Sequence, residues 1–236
     1  MVLLAVETGT SEPSVAVLKD RRLLASALCQ PGQSLTSQLL PIIDRVLVSV
    51  GISVSDLQAL AVSIGPGSFT GLRVGLATMS ALRLALQIPL VGASTLEGLA
   101  WNAVPTSLPI FSTVYVKPGF LYWAIYSWEG QTLIRKGDEI MGTVEEAVQS
   151  LRRGNLSGEI MFVGDGWSRN RKLGLWSDMP GFSPALEQDS ISAQGVGLAG
   201  LVLLERGQVL PEGSSPHYLQ LSYAETSLEK AKIPER

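Results

Sequence analysis

Residues 59–75 read ALAVSIGPGSFTGLRVG, an apolar run that breaks into a glycine-rich turn and resumes with a helical pattern. Ala59 to Ile64 is apolar except for Ser63, as expected of a strand buried on both faces. Glycines at 65, 67 and 71 permit a sharp turn and close approach by another backbone. Ser68 or Thr70 can cap the helix expected over 70–86, whose first free N–H groups would suit an anion. No Gly-Lys-Ser/Thr follows at the spacing of a P-loop, and the glycines do not form a dinucleotide fingerprint. A strand, a turn and a buried helix in this order place the chain in the α/β class.

Working outward, Val2–Glu7 reads as a buried strand, and Ser14–Leu18 and Leu23–Cys29 as a hairpin around the polar turn Lys19–Arg22. Over 36–50 the period becomes helical, with Leu39, Leu40, Ile43, Val46, Leu47 and Val50 on one broad face and Gly51 at the end. Pro89–Gly92 reads as a short strand and Thr95–Ala103 as a helix. The order then recurs. Ile110–Tyr115, Leu121–Trp128 and Thr132–Ile140 form a meander, and Thr143 caps a helix to Leu151. Glu159–Val163 is a strand, and a helix lies within 190–206. Two copies of one unit predict two lobes, 1–104 and 105–210, each a mixed sheet flanked by helices, with a cleft between them. Residues 211–236 are polar and read as an arm, its last ten or so residues poorly ordered.

Composition excludes several classes. With 46% apolar and 17% charged residues the chain is globular, and a net charge of −3 without a basic stripe argues against phosphate-driven nucleic-acid binding by this chain alone. The apolar stretch from Leu72 to Val91 is broken by Arg73, Arg83 and Pro89, so no membrane span is expected. No basic segment precedes Val2–Val6, so no signal peptide is expected either. One cysteine, Cys29, and one histidine, His217, cannot make an internal disulfide or a His/Cys metal site, and they suit a reduced, cytoplasmic setting.

Two places could carry chemistry. Glu7 closes the first strand ahead of Thr8-Gly9-Thr10, a turn that could face a phosphate, and Gly164-Asp165-Gly166 follows a strand in the second half. Both are weak signals, since such turns are common. The helix over 70–86 offers a third feature. Gly71, Gly75, Ala77, Ser80, Ala81 and Ala85 leave it with a small-residue surface that suits close helix packing, either against a partner or beneath the chain's own sheet.

Six ordered blocks resemble the TsaB (YeaZ) family: LLAVETGT from Leu3, TSQLLPII at 36–43, GPGSFTGLRVG at 65–75, IPLVGASTLEGLA at 88–100, GDG at 164–166 and PHYLQLSYAE at 216–225. The resemblance covers nearly the whole chain and implies the two-lobed ASKHA fold of actin and the sugar kinases. It implies a noncatalytic subunit that pairs with the catalytic paralogue TsaD, joined by the ATPase TsaE. The complex moves threonylcarbamoyl onto the adenosine beside the anticodon of tRNAs reading codons that begin with A. Helices 36–50 and 70–86 would then meet the partner, through Leu39, Ile43, Gly65, Pro66, Gly67, Ser68, Phe69, Thr70, Gly71, Arg73, Gly75 and Ala77. Glu7, Thr8 and Thr10 would be a vestigial nucleotide site. Cofactors would sit on the partners, with no metal here. The family usually has Asp at position 7, Asp-Ala-Arg where Tyr115-Val116-Lys117 stands, and His at Leu35, so phosphate chemistry is not expected of this chain. Two other readings stay open: an ASKHA hydrolase or nucleotide-using enzyme in its own right, and a homodimeric module using the same helices.

Overall fold

The computed structural model describes residues 1–154, 159–174, 176, 182–184 and 193–219. The first unit runs β1 (Val2–Glu7), β2 (Ser14–Lys19), β3 (Arg22–Leu28), α1 (Leu35–Ser49), β4 (Ala59–Ser63), α2 (Phe69–Leu86), β5 (Leu90–Ala93) and α3 (Thr95–Trp101). The second repeats it as β6 (Ile110–Lys117), β7 (Phe120–Glu129), β8 (Thr132–Thr143), α4 (Val144–Arg153), β9 (Ile160–Val163), α5 (Asp165–Arg169), β10 (Phe182–Pro184) and α6 (Ala193–Glu205). The sheet orders match: β3-β2-β1-β4-β5 and β8-β7-β6-β9-β10. In each, the first strand pairs antiparallel with the second and parallel with the fourth. The sequence reading of the second unit lacks α5 and β10, which are too short to carry a period of their own.

Alternation along the strands splits the molecule into layers. Leu4, Val6, Leu60 and Val62 face α1 and α2 in one core, while Leu3, Ala5, Ala59 and Ala61 face inward. Phe111, Trp123 and Phe162 face α4 and α5. Between the sheets lie α3 and α6, and they are exchanged: α6 packs on the first sheet, and α3 on the second. So residues 193–205, which chain order groups with the second half, cover the first sheet's inner face.

That exchange needs thin surfaces. Gly98 and Gly195 face each other at the α3–α6 crossing, and a side chain at Gly195 would run into the Gly98 carbonyl. Gly197 and Gly200 sit against Ala5 and Ala61. Glycine within a helix is unfavourable by about 1 kcal/mol per residue, and burial of the aliphatic layer on both sides offsets it.

The arm expected from residue 211 is in part a strap. The Leu210 N–H donates to Leu90 O at 2.8 Å and the His217 N–H to Ile64 O at 2.7 Å, so the segment follows the open edge of the first sheet. Residues 220–236 lie outside the described residues, as do 190–192 of the last predicted helix.

Candidate functional site

The glycine turn serves the chain's own packing. Ser68 caps α2, its Oγ accepting the Gly71 N–H at 3.2 Å. The Ser68 N–H donates to Gly9 O at 2.5 Å, joining this turn to the one after β1. A side chain at Gly67 would strike Gly9 O, at Gly71 Thr8 O, at Gly75 the Thr8 hydroxyl, and at Gly65 His217 O. These four glycines are therefore filled by the chain's own backbone and by Thr8, and Pro66 is buried with them. They do not present a docking surface, which corrects that part of the sequence expectation. Leu39 and Ile43 require the same correction. They are 1% and 3% exposed in the outer core, on a helix that packs against β2 and β3.

Beneath this double turn lies Glu7, fully buried. Its carboxylate accepts the Gly9 N–H at 2.5 Å and the Thr10 hydroxyl at 2.8 Å, and the Ser63 hydroxyl reaches it at 3.4 Å. Burial pushes its pKa from an ordinary 4.5 up to about 7, against the pull of those three donors, and the charge of Asp165 adds to the rise. Thr8 is buried beside it with no hydrogen-bond partner for its hydroxyl among the described residues.

In the second unit, Gly164 has φ +90° and packs against the Thr113 carbonyl, which Gly164-Asp165-Gly166 needs in order to approach β6. Asp165 accepts the Tyr115 N–H at 2.8 Å, receives the Ser11 hydroxyl from the opposite lobe at 3.1 Å and pairs with Arg169 at 3.6 Å. The Arg169 guanidinium lies 3.9 Å above the Tyr115 ring. These residues fit a nucleotide's phosphates and metal poorly. Each carboxylate is already held by protein donors, and β6 carries no carboxylate of its own.

What faces outward is the far side of α1 and α2. Thr70, Arg73, Ala77, Ala81 and Leu84 share one stripe of α2, and Leu40, Pro41 and Val48 are exposed on neighbouring α1. Leu40 and Val48 on α1 and Leu84 on α2 are 55%, 68% and 66% exposed, open for large apolar side chains, with the charged Asp44 and Arg45 exposed between the two on α1. Of the predicted docking residues, Ser68, Thr70, Arg73 and Ala77 are exposed here, and Phe69 and Gly67 are half-buried at its edge. Sequence reasoning missed Leu40, Val48 and Leu84 as surface, having placed Leu40 on the core face. It also missed Tyr218, whose ring packs 4.8 Å from that of Phe69 and whose hydroxyl accepts the Arg73 Nε–H at 3.0 Å.

Comparisons with known proteins agree with this architecture. Residues 32–175 match the family model for TsaD, tRNA N6-adenosine threonylcarbamoyltransferase. The tRNA threonylcarbamoyladenosine biosynthesis protein TsaB of Escherichia coli (strain K12) is 33% identical over 181 residues, 76% of this chain and 78% of that protein. YeaZ from Pseudomonas aeruginosa superposes with a TM-score of 0.73 at 25% identity, covering 92% of this chain and 99% of that one. Component A of the Acidaminococcus fermentans (R)-2-hydroxyglutaryl-CoA dehydratase, at 12% identity and a TM-score of 0.52, covers 87% of this chain and 98% of that one and shares the fold alone. The fold is of the ASKHA type.

Proposed function

Since this chain belongs to the TsaB family of tRNA threonylcarbamoyladenosine biosynthesis proteins, we propose that it is the noncatalytic partner of a TsaD-like paralogue and works by docking. It acts in transfer of threonylcarbamoyl to the adenosine beside the anticodon of tRNAs reading codons that begin with A. The chemistry belongs to the paralogue, which with a TsaE-like ATPase carries the ATP and metal. This chain needs no cofactor, meets tRNA only through the complex, and works in the cytoplasm. No described helix is long and apolar enough to cross a membrane.

The observation that carries this reading is the set of large apolar side chains, Leu40, Val48 and Leu84, exposed on the outer sides of α1 and α2 in a chain whose Glu7 and Asp165 carboxylates are already occupied internally. Burying such a face against a partner helix pair is favourable by about 25 cal/mol per Å² of apolar surface. The same face offers a two-fold contact, so a homodimer forms when the paralogue is absent and dissolves when it is added.

The test combines this chain, its paralogue, the ATPase and tRNA, and follows nucleoside modification. Leu84→Arg or Ala77→Arg should abolish both association and modification while the melting temperature holds. Modification by a mutant that no longer associates would sink the docking reading. Modification by this chain without the paralogue would sink the noncatalytic one. Gly75→Arg is unsuitable for this test, because the new side chain would strike Thr8 in the chain's own core.

A further inference from the structure

Arg73 is the charged end of the α2 stripe, and it is held in place unusually firmly for an exposed arginine. Its guanidinium carbon lies over the Phe69 ring, 3.9 Å from the centroid, and its Nε–H donates to the Tyr218 hydroxyl at 3.0 Å. Among the described residues its two terminal amino groups have no hydrogen-bond or ion-pair partner. Tyr218 is fixed in turn. Leu210 fills the space above Gly92, Arg83 donates to the Leu210 carbonyl at 2.7 Å and pairs with Glu212 at 3.4 Å, and the His217 N–H is tied to Ile64. The strap therefore delivers one hydroxyl to one edge of one guanidinium.

We infer that Tyr218 is a positioning residue for docking: it holds Arg73 so that the arginine's open edge receives a carboxylate of the catalytic partner. This rests on the docking role of the α1–α2 face. A guanidinium fixed by stacking and by its Nε presents the remaining fork in the geometry a carboxylate accepts. Because the rotamer is set before contact, association loses little side-chain entropy. The stripe that Arg73 continues is apolar at Ala77, Ala81 and Leu84, and the other arginine of α2, Arg83, is already engaged. A lone cation on an apolar stripe suits a protein interface better than an RNA backbone, which needs clustered charge.

The experiment titrates the full-length chain with its catalytic partner, measuring the heterodimer Kd at low and high salt and the melting temperature of each variant alone. Arg73→Gln should weaken association about thirtyfold, as expected of an arginine anchor, and flatten its salt dependence. Tyr218→Ala should weaken it about tenfold, and Tyr218→Phe, which keeps the ring and loses the acceptor, by a few-fold. In the Arg73→Gln background, Tyr218→Ala should add less than about twofold, because it acts through the arginine. The melting temperatures of Arg73→Gln and Tyr218→Phe should not move. Equal effects of Tyr218→Ala in both backgrounds would overturn the proposal, as would no effect of either residue where Leu84→Arg abolishes binding. If Leu84→Arg itself leaves association intact, the docking face is wrong and this inference falls with it. If Arg73→Gln weakens tRNA binding by the assembled complex at unchanged heterodimer Kd, the arginine serves a phosphate and the proposal is wrong.

Discussion

The two halves of the chain follow the same path, yet they solve the same positions with opposite chemistry. In the first, α1 packs on the outside of its sheet and leaves Leu40, Pro41 and Val48 in the open on either side of Asp44 and Arg45. In the second, α4 occupies the equivalent place and exposes Glu145, Glu146, Gln149, Arg152 and Arg153, with a capping box joining Thr143 to Glu146. The acidic first turn and basic last turn of α4 complement its dipole, as a solvent-facing helix should. Below α4 the core is aromatic, with Phe111, Phe162, Trp167 and Trp176 stacked near one another, whereas below α1 it is aliphatic. The duplication teaches that topology is shared and surface is not. One outer face is polar throughout, and the other interleaves its charges with large apolar side chains.

That contrast can be broken most strongly at the buried carboxylate, which β1 has at its end and β6 lacks. The folded pKa of Glu7, about 7, lies above its ordinary 4.5, so the folded chain binds this proton more tightly than the unfolded chain does. Stability tied to Glu7 is full below about pH 4.5 and is lost as pH rises through 7, a difference on the order of 3 kcal/mol. Glu7→Gln should abolish most of this decline, raising stability at pH 8 relative to the parent and changing little at pH 4. Denaturant melts across that range decide it, and an unchanged slope in the mutant would remove Glu7 from the account. Glu97, also pushed up by its burial and then by Glu139, should leave a smaller residual slope.

Next in size is the docking contrast. Leu84→Arg should weaken the heterodimer at least about 100-fold, near 2.7 kcal/mol, while Gln149→Arg on the solvent face of α4 should leave it unchanged. Equal losses from both would mean that the two faces are not distinguished by a partner. The smallest effect compares the helix starts. Ser68→Ala and Thr143→Ala should each lower stability by about 1 kcal/mol. Only the first should also weaken association, because Ser68 lies beside Phe69 and Arg73. Thermal melts paired with the titration separate the two outcomes.

Much of this was legible beforehand. The strands read from apolar runs, the Thr143 cap and the glycine turn all stand where the pattern puts them, because each is a local preference. The outward face of α1 was not, since its apolar residues are too many for one side and nothing local tells Leu39 from Leu40. The role of the turn glycines was half visible: their need for close approach could be read, but what approaches, Gly9 and Thr8 of the same chain, is a tertiary fact. Gly164-Asp165-Gly166 read as an ordinary turn, because a helix as short as α5 has no period of its own. Tyr218 offered no signal in isolation. Its importance comes from a strap that returns to α2 from the far end of the chain.

The exchange of α3 and α6 has a consequence for how the molecule is made. While the first hundred or so residues leave the ribosome, the inner alanine face of β1, β2 and β4 has no helix to cover it, because α6 is synthesised near the end. Each half has an outer core of its own, but neither can close its inner layer without a helix from the other. The inner face of the first sheet is therefore closed by a helix of high sequence separation, a contact that favours late closure.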